Sequence, residues 1–127
     1  MLKELSIIIP LYNKEHTIKN TVETLLKSNI AEKLQLIIVE NGSTDNSLQR
    51  ANLTINDLSN NYDVEILISK KGKGNAIRAA IPFIKYEWCF IINCILNTMN
   101  KSFARCSPNS TTNKIKILCT YCYTYTL

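Results

Sequence analysis

The sequence predicts an α/β fold, a mostly parallel β-sheet with helices on both faces. Three observations carry that expectation. Four short apolar runs are each closed by turn residues, as in strands buried on both faces. Between them, apolar residues recur at helical spacing. The links are short, and alternating strands and helices with short links build a parallel sheet through helical crossovers.

Leu5 to Ile9 is an apolar run, broken only by Ser6 and stopped by Pro10. In Thr17 to Ser28, the residues Ile18, Val22, Leu25 and Leu26 fall at i, i+4, i+7 and i+8, a helix with one apolar face. Leu34 to Val39 is the second strand. Asp45 or Asn46 can cap the following helix, in which Leu48, Ala51, Ile55 and Leu58 keep helical spacing. Val64 to Ile68 is a third, slightly more polar strand. Asn75 to Ile84 reads as a third helix, with Ile77, Ala80, Ile81 and Ile84 facing inward. Pro82 sits badly there, because it removes a backbone donor and bends or ends a helix. Trp88 to Ile92 is the fourth apolar run. The arrangement is Rossmann-like. In such sheets ligands bind outside the carboxyl ends of the strands.

From Thr98 onward no periodicity is evident, and "CSPNSTTNK" is loop-like. "YCYTYTL" alternates and suits an edge strand or a disordered end equally. The chain therefore divides into an α/β domain over residues 1–97 and an irregular or disordered tail over 98–127.

The bulk numbers agree with this picture. A chain of 127 residues with 46% hydrophobic and 20% charged residues fits one globular domain. No apolar stretch is long enough for a spanning helix. "MLKELSIIIP" has one Lys and an early proline, unlike a signal peptide. A cytoplasmic address is the expectation, with peripheral contact at the inner membrane face as its extension. The net charge of +5 raises a nucleic-acid reading, but its distribution argues against one. Residues 1–87 hold 11 basic and 10 acidic residues, whereas residues 88–127 hold 4 basic and no acidic ones. All five cysteines also fall in that second segment. The change of composition suggests two kinds of sequence joined together.

The chemistry collects in the turns that follow the first three strands, "LYNKE", "ENGSTD" and "SKKGKG". Tyr12 offers a flat face to a base, and Asn13 a neutral donor and acceptor. Glu40 and Asn41 suit a base edge or ribose hydroxyls, and Ser43 follows with a hydroxyl. Gly42 permits a backbone geometry closed to other residues. Lys70, Lys71, Lys73 and Arg78 form a basic cluster, and Gly72 and Gly74 let backbone N–H groups approach an anion. Together these groups suit a nucleoside diphosphate. Taken singly, each has a plainer explanation: a packed tyrosine, a capped turn, a solvated basic loop. The spacing is neither that of a P-loop nor that of the dinucleotide fingerprint, since no glycine follows the first strand.

In this order and spacing, "SIIIPLYNKEHTI", "LQLIIVENGSTDNS" and "KKGKGNAIRAAI" resemble the N-terminal half of family 2 glycosyltransferases. These are inverting enzymes of the GT-A fold with nucleotide-sugar donors. The resemblance covers about residues 4–92. It implies that Tyr12 lies against the base. Glu40 and Asn41 stand where the family usually has two aspartates reading base and ribose. Lys73 and Arg78 match basic positions near the diphosphate. The third motif looks closest to the branch that hands sugars to polyprenyl phosphates, so the implied partners are a nucleotide-diphosphate sugar and a polyprenyl-phosphate or glycan acceptor.

The family's fourth strand ends in an Asp-x-Asp-like motif that holds Mg²⁺ or Mn²⁺ against the diphosphate. Here Asn93, Cys94 and Ile95 take those positions. An amide is a poor ligand for a hard cation and Ile95 cannot ligate, so the expectation is that this chain binds no such metal. No Asp or Glu follows Glu87, so the family's base carboxylate has no counterpart. The expectation is a truncated, inactive fragment of a sugar transferase, without nucleic acid as a partner. Two alternatives stay open: a non-catalytic α/β module that binds a protein, and a basic nucleic-acid binder driven by the tail. "CTYC" (Cys119 to Cys122) has the spacing of a zinc half-site, with Cys106 as one further ligand, but ordinary reduced thiols explain it as well. His16 is expected at the start of the first helix, without a catalytic part.

Overall fold

The computed structural model describes residues 2–58 and 62–92 and the backbone of residues 116–119. The elements run β1 (Leu2–Leu11), α1 (Ile18–Lys27), β2 (Ala31–Glu40), α2 (Ser47–Asp57), β3 (Asp63–Ile68), α3 (Lys73–Ala80), a 3₁₀ turn (Ile81–Phe83), β4 (Trp88–Ile91) and β5 (Lys116–Cys119). The strands form one sheet in the order β3-β2-β1-β4-β5, and every neighbouring pair is parallel. The chain steps outward from β1 to β3, then returns to the other side of β1 for β4. That reversal of strand order marks the crevice where α/β sheets take ligands.

Alternation along the strands explains why both faces are covered. Leu5, Ile7, Ile9 and Leu11 of β1 pack with Leu36 and Ile38 of β2 against Ile18, Val22 and Leu25 of α1 and Ala51 of α2. Ile8, Ile37, Val39, Cys89 and Ile91 point the other way, onto Ala76, Ile77 and Ala80 of α3. A strand buried on both faces is apolar at nearly every position, which is why the runs do not alternate; two buried polar exceptions, Ser6 and Gln35, bond each other. Each fully buried Leu, Ile or Val side chain contributes about 1.5–3 kcal/mol. This sheet and these helices are the α/β architecture that the sequence predicts.

Pro10 has a readable place. Ile8 bonds toward β4, its carbonyl accepting from the Ile92 N–H at 2.9 Å. Pro10, two residues on, faces the same side, beyond the last described β1–β4 pair at Ile8 and Ile91. Among the described residues it has no ladder partner there, a position that tolerates a residue without an N–H.

Two expectations need correction, and one open choice is decided. The third helix spans Lys73–Ala80, not residues 75–84, and the chain then tightens into the 3₁₀ turn that contains Pro82. Ile81 is therefore exposed at that turn instead of facing inward. Proline ended the helix before helical spacing could carry Ile81 to the core. At the second helix, Asn46 occupies the cap position without a side-chain bond. The capping is done by Asp45, whose carboxylate accepts from the Ser47 N–H at 3.0 Å and from the Ser47 hydroxyl. Finally, β5 lies in the segment where no regular element was foreseen. "KIKILC" is too short to show a period, and its strand exists through pairing with β4.

A polar clamp fixes the end of α3. Gln35 is fully buried on β2. Its Oε1 accepts from the Ser6 hydroxyl at 2.6 Å and from the Lys85 N–H at 3.1 Å, and its Nε2 donates to the Phe83 carbonyl at 2.8 Å. The Lys85 ammonium pairs with Asp63 at 2.7 Å, which holds it above its ordinary pKa. The exposed ion pair adds little stability. The buried amide adds more, because its partners have no water to fall back on. Gln35→Ala should cost about 2–4 kcal/mol, from stranded donors plus a small cavity. Urea denaturation checks this, and a cost below about 1 kcal/mol would show that the clamp is not structural.

Candidate functional site

The β1–β2 register pairs Leu11 with Glu40, so both strands end at the same level. Tyr12 and Asn41 then leave the sheet side by side, and the Asn41 N–H donates back to the Leu11 carbonyl at 2.9 Å. The third loop joins through Ser69. Its N–H donates to the Glu40 carbonyl at 2.9 Å and its hydroxyl lies 3.4 Å from the Asn41 Oδ1. Three loops of unrelated sequence thus meet at the carboxyl edge.

Loops one and two are stitched together by short polar side chains. Asn13 adopts a left-handed backbone with φ 48°, a conformation asparagine tolerates better than most residues. Its N–H donates to the Ser43 hydroxyl at 3.0 Å, and its Oδ1 accepts from the Thr44 N–H at 2.8 Å. The Lys14 N–H donates to the Ser47 hydroxyl at 2.7 Å. The Glu15 N–H donates to the Asp45 carboxylate at 3.3 Å, and the Asn46 N–H to the Glu15 carboxylate at 3.3 Å. Burial raises the Asp45 pKa most strongly, yet the bonds from the Ser47 side chain and backbone, from the Glu15 backbone and from its own backbone together hold it below 3.8.

Glu40 is buried at 6% exposure on the face of Leu36 and Ile38. Its Oε1 accepts from the Ser43 N–H. Its Oε2 is buried and has no hydrogen-bond partner among the described residues. A buried carboxylate oxygen left in that state calls for an explanation. Asn41, 5% exposed, turns toward Ser69 and the third loop.

Gly42 is the tight point. Its φ is +82°, and a Cβ placed there would lie 3.1 Å from the Lys71 Cβ. The Lys71 side chain crosses over loop two at this spot and ends with its Nζ 5.2 Å from the centroid of the Tyr12 ring. Lys73 opens α3 just beyond, behind Gly72 at φ +123°. Arg78 belongs to the last turn of α3, roughly 7.5 Å farther along the axis at 1.5 Å per residue. Of the residues singled out in the sequence, the structure gathers Tyr12, Asn13, Glu40, Asn41, Gly42 and Ser43 at one rim with Lys73 at its border, and leaves Arg78 down the helix. Sequence reasoning missed Ser69, Asp45 and Ser47 as the ties, and it did not separate Lys71 from its neighbours. The one signal for Lys71 is its position, directly before the glycine that starts the helix.

A cavity of about 500 Å³ opens at the opposite edge of the sheet, lined by residues such as Leu2, Glu32, Lys33 and Trp88. It touches none of the loops, and the polar convergence at the carboxyl edge is the better candidate. Among the described residues no group of three or more His, Cys, Asp or Glu is placed to hold a metal ion. Asn93, Cys94, Ile95, Cys106 and Cys122 lie outside the described residues, and of Cys119 only the backbone is described. Cys89 is a buried free thiol in β4, pushed by burial up to about 12, and acts as core. His16 sits in the loop before α1, exposed, 3.5 Å from the Glu15 carboxylate. No helix among the described residues is long and apolar enough to cross a membrane.

Comparison with known proteins adds independent findings. The family described as Glycosyl transferase family 2 matches residues 6–94. A poly-beta-1,6-N-acetyl-D-glucosamine synthase of Staphylococcus epidermidis is 29% identical over 91 residues, 70% of this chain and 21% of that protein. An undecaprenyl-phosphate 4-deoxy-4-formamido-L-arabinose transferase of Proteus mirabilis is 30% identical over 81 residues, 61% of this chain and 24% of that protein. The chain thus spans under a quarter of the length of these curated relatives. Among solved structures, glucosyl-3-phosphoglycerate synthase from Mycobacterium tuberculosis, in complex with Mn²⁺, UDP-glucose and phosphoglyceric acid, superposes with TM-score 0.53 at 21% identity. That superposition covers 72% of this chain and 33% of the other. The same protein with Mg²⁺ and UDP gives TM-score 0.50 at 20% identity, covering 72% of this chain and 33% of that one. These structural likenesses establish the shared fold.

Two outcomes are expected at the rim. Gly42→Ala should destabilise the protein by about 1–2 kcal/mol, the cost of a side chain at positive φ, with the Lys71 stem displaced as well. Thermal or urea unfolding that matches the parent would show that loop two relaxes freely. Because the folded Asp45 pKa is depressed, its contribution is complete above its ordinary value of 3.8 and fades as the pH falls through the lower folded value. Amide chemical shifts of Glu15 and Ser47 should titrate together with a midpoint below 3.8, and Asp45→Asn should abolish that titration.

Proposed function

The chain belongs to glycosyl transferase family 2, and from that premise we propose that residues 2–92 are the donor-binding half of a glycosyltransferase that uses a nucleotide-diphosphate sugar. The observation that carries this reading is the meeting of Tyr12, Asn41 and the Lys71–Lys73 segment at one rim of a parallel sheet. The domain boundary is proposed near residue 97.

In this reading the Tyr12 ring takes the base, and Asn41 bonds the base edge or the ribose. The spare Oε2 of Glu40 is an acceptor for a base N–H. Asn13, Gly42 and Ser43 act as positioning residues, since their polar groups or backbone shape loop two. The diphosphate is drawn to the start of α3, where Gly72 and Gly74 expose backbone N–H groups at the positive end of the helix dipole and Lys73 adds charge. Arg78 contributes at longer range.

Glucosyl-3-phosphoglycerate synthase was crystallised with Mn²⁺ or Mg²⁺, and a divalent cation supplies charge neutralisation at a diphosphate. The residues of this chain do not fit that ion. The sequence after β4 offers an amide, a thiol and an aliphatic chain at Asn93, Cys94 and Ile95, and hard cations require oxygen-rich, anionic ligand sets. No acid follows Glu87, so the residues after β4 offer no carboxylate to take the proton of an acceptor. We therefore read it as binding a donor without transferring the sugar alone. A relative's name points to an undecaprenyl-phosphate acceptor, and we propose that class, or a glycan, for the complete system. A cytoplasmic site with peripheral contact at the inner membrane face follows from such an acceptor.

Calorimetric titration with UDP, GDP and their sugars, with and without Mn²⁺, tests the reading. The expected result is weak binding that Mn²⁺ leaves unchanged. Tyr12→Ala should lower affinity by about tenfold, within the 1–3 kcal/mol of a base–aromatic stack. Tight, Mn²⁺-dependent binding or measurable transfer would refute the inactive assignment. No binding of any nucleotide would favour a protein-binding module.

A further inference from the structure

Lys71 is the residue at the rim to which the donor-binding reading gives a place but no separate role. It is exposed in a loop, yet its side chain lies against two neighbours, Gly42 and Tyr12. Its stem crosses Gly42 at contact distance, because only the absent Cβ of glycine leaves room for it. Its ammonium lies 5.2 Å from the centroid of the Tyr12 ring. Tyr12 is itself exposed, at 37%, so a flat ligand can reach the ring, and the ammonium lies over part of it. Loop three is held at this level from below, through Ser69 to Glu40 and Asn41.

We infer that Lys71 is a specificity-determining residue that exchanges partners: it rests on the Tyr12 ring in the free protein and moves to the diphosphate when a nucleotide takes the ring. This inference rests on the donor-binding reading above. The two halves of the contact are the two groups that a nucleoside diphosphate needs, a flat face for its base and a cation for its phosphates. In the free protein each satisfies the other. A nucleoside without phosphates that stacks on the ring competes with the ammonium and gives it nothing in return. A nucleoside diphosphate displaces it and then offers it a stronger, anionic partner. The rim therefore favours diphosphates over bare nucleosides by more than charge alone. Gly42 is part of this device, since it provides the groove along which the Lys71 stem lies.

The test uses the full chain and Lys71→Met, which keeps the length of the stem and removes the charge. Removing the ammonium frees the ring, so uridine and guanosine should bind roughly two- to fivefold more tightly, the range of an exposed cation–π contact. UDP and GDP should bind about two- to fivefold more weakly, the range of an exposed ion pair. The opposite signs are the signature, because a merely structural role would move both ligands the same way. A second readout needs no variant. The Lys71 ε-methylene protons should be shifted upfield by the Tyr12 ring current in the free protein, and should return to ordinary positions on saturation with UDP. If the parent binds UDP but the substitution shifts nucleoside and diphosphate alike or neither, the exchange is wrong while donor binding stands. If the ε-methylene protons show no ring-current shift in the free protein, the resting contact is wrong. If neither protein binds any nucleoside or nucleotide, the donor-binding reading fails and the exchange falls with it.

Discussion

Everything at the rim depends on the pairing of β1 with β2. Ten-residue strands run in parallel from Leu2 and Ala31 to Leu11 and Glu40. Their central residues are buried on both sides, so a slip of one residue would turn every side chain to the wrong layer. That constraint sets the height at which both strands end. Because they end together, two six-residue polar loops emerge in contact, and the short side chains of Asn13, Ser43, Asp45 and Ser47 can bridge them. The loops are ordered because the register is.

The same constraint explains how well the architecture could be read from the residues. A strand covered by helices on both sides has no polar phase, so Leu5 to Ile9 and Leu34 to Val39 stand out as apolar runs with one polar residue each, Ser6 and Gln35. Helices that cover such a sheet bury one stripe, which is why Ile18, Val22 and Leu25 recur at helical intervals and are all buried. What failed was of another kind. Ile81 fits the helical spacing of its neighbours, but Pro82 acts on the backbone and not on the pattern. The strand at Lys116–Cys119 exists through its neighbour β4, and nothing inside its own residues announces it.

For the candidate site, the residue types were legible and their division of labour was not. Tyr12, Asn41 and Gly42 could be chosen because a flat ring, an amide and a glycine after successive strands are each suited to a ligand. The sequence offered no means to see that Asn13 and Ser43 would spend their polar groups on each other. Nor could it show that Lys71, one of three nearby lysines, would lie across the glycine and the ring. Such facts depend on backbone directions and on contacts between segments some thirty residues apart, which single-residue preferences do not encode. The family match covers residues 6–94, and it accounts for the common frame while leaving these local choices to this chain.

The buried amide of Gln35 has a consequence beyond the energy of its bonds. It grips the Phe83 carbonyl and the Lys85 N–H, three and five residues past the end of an eight-residue helix. That helix is only about 12 Å long, and its other end carries Lys73. Gripped at one end, it behaves as a short rigid lever whose pivot is Gln35. A tilt of five degrees at the pivot would sweep the tip by roughly 1 Å, a displacement large enough to spoil the alignment of a bound group. The aim of the cationic end is thus governed from the opposite end of the helix, well away from the rim.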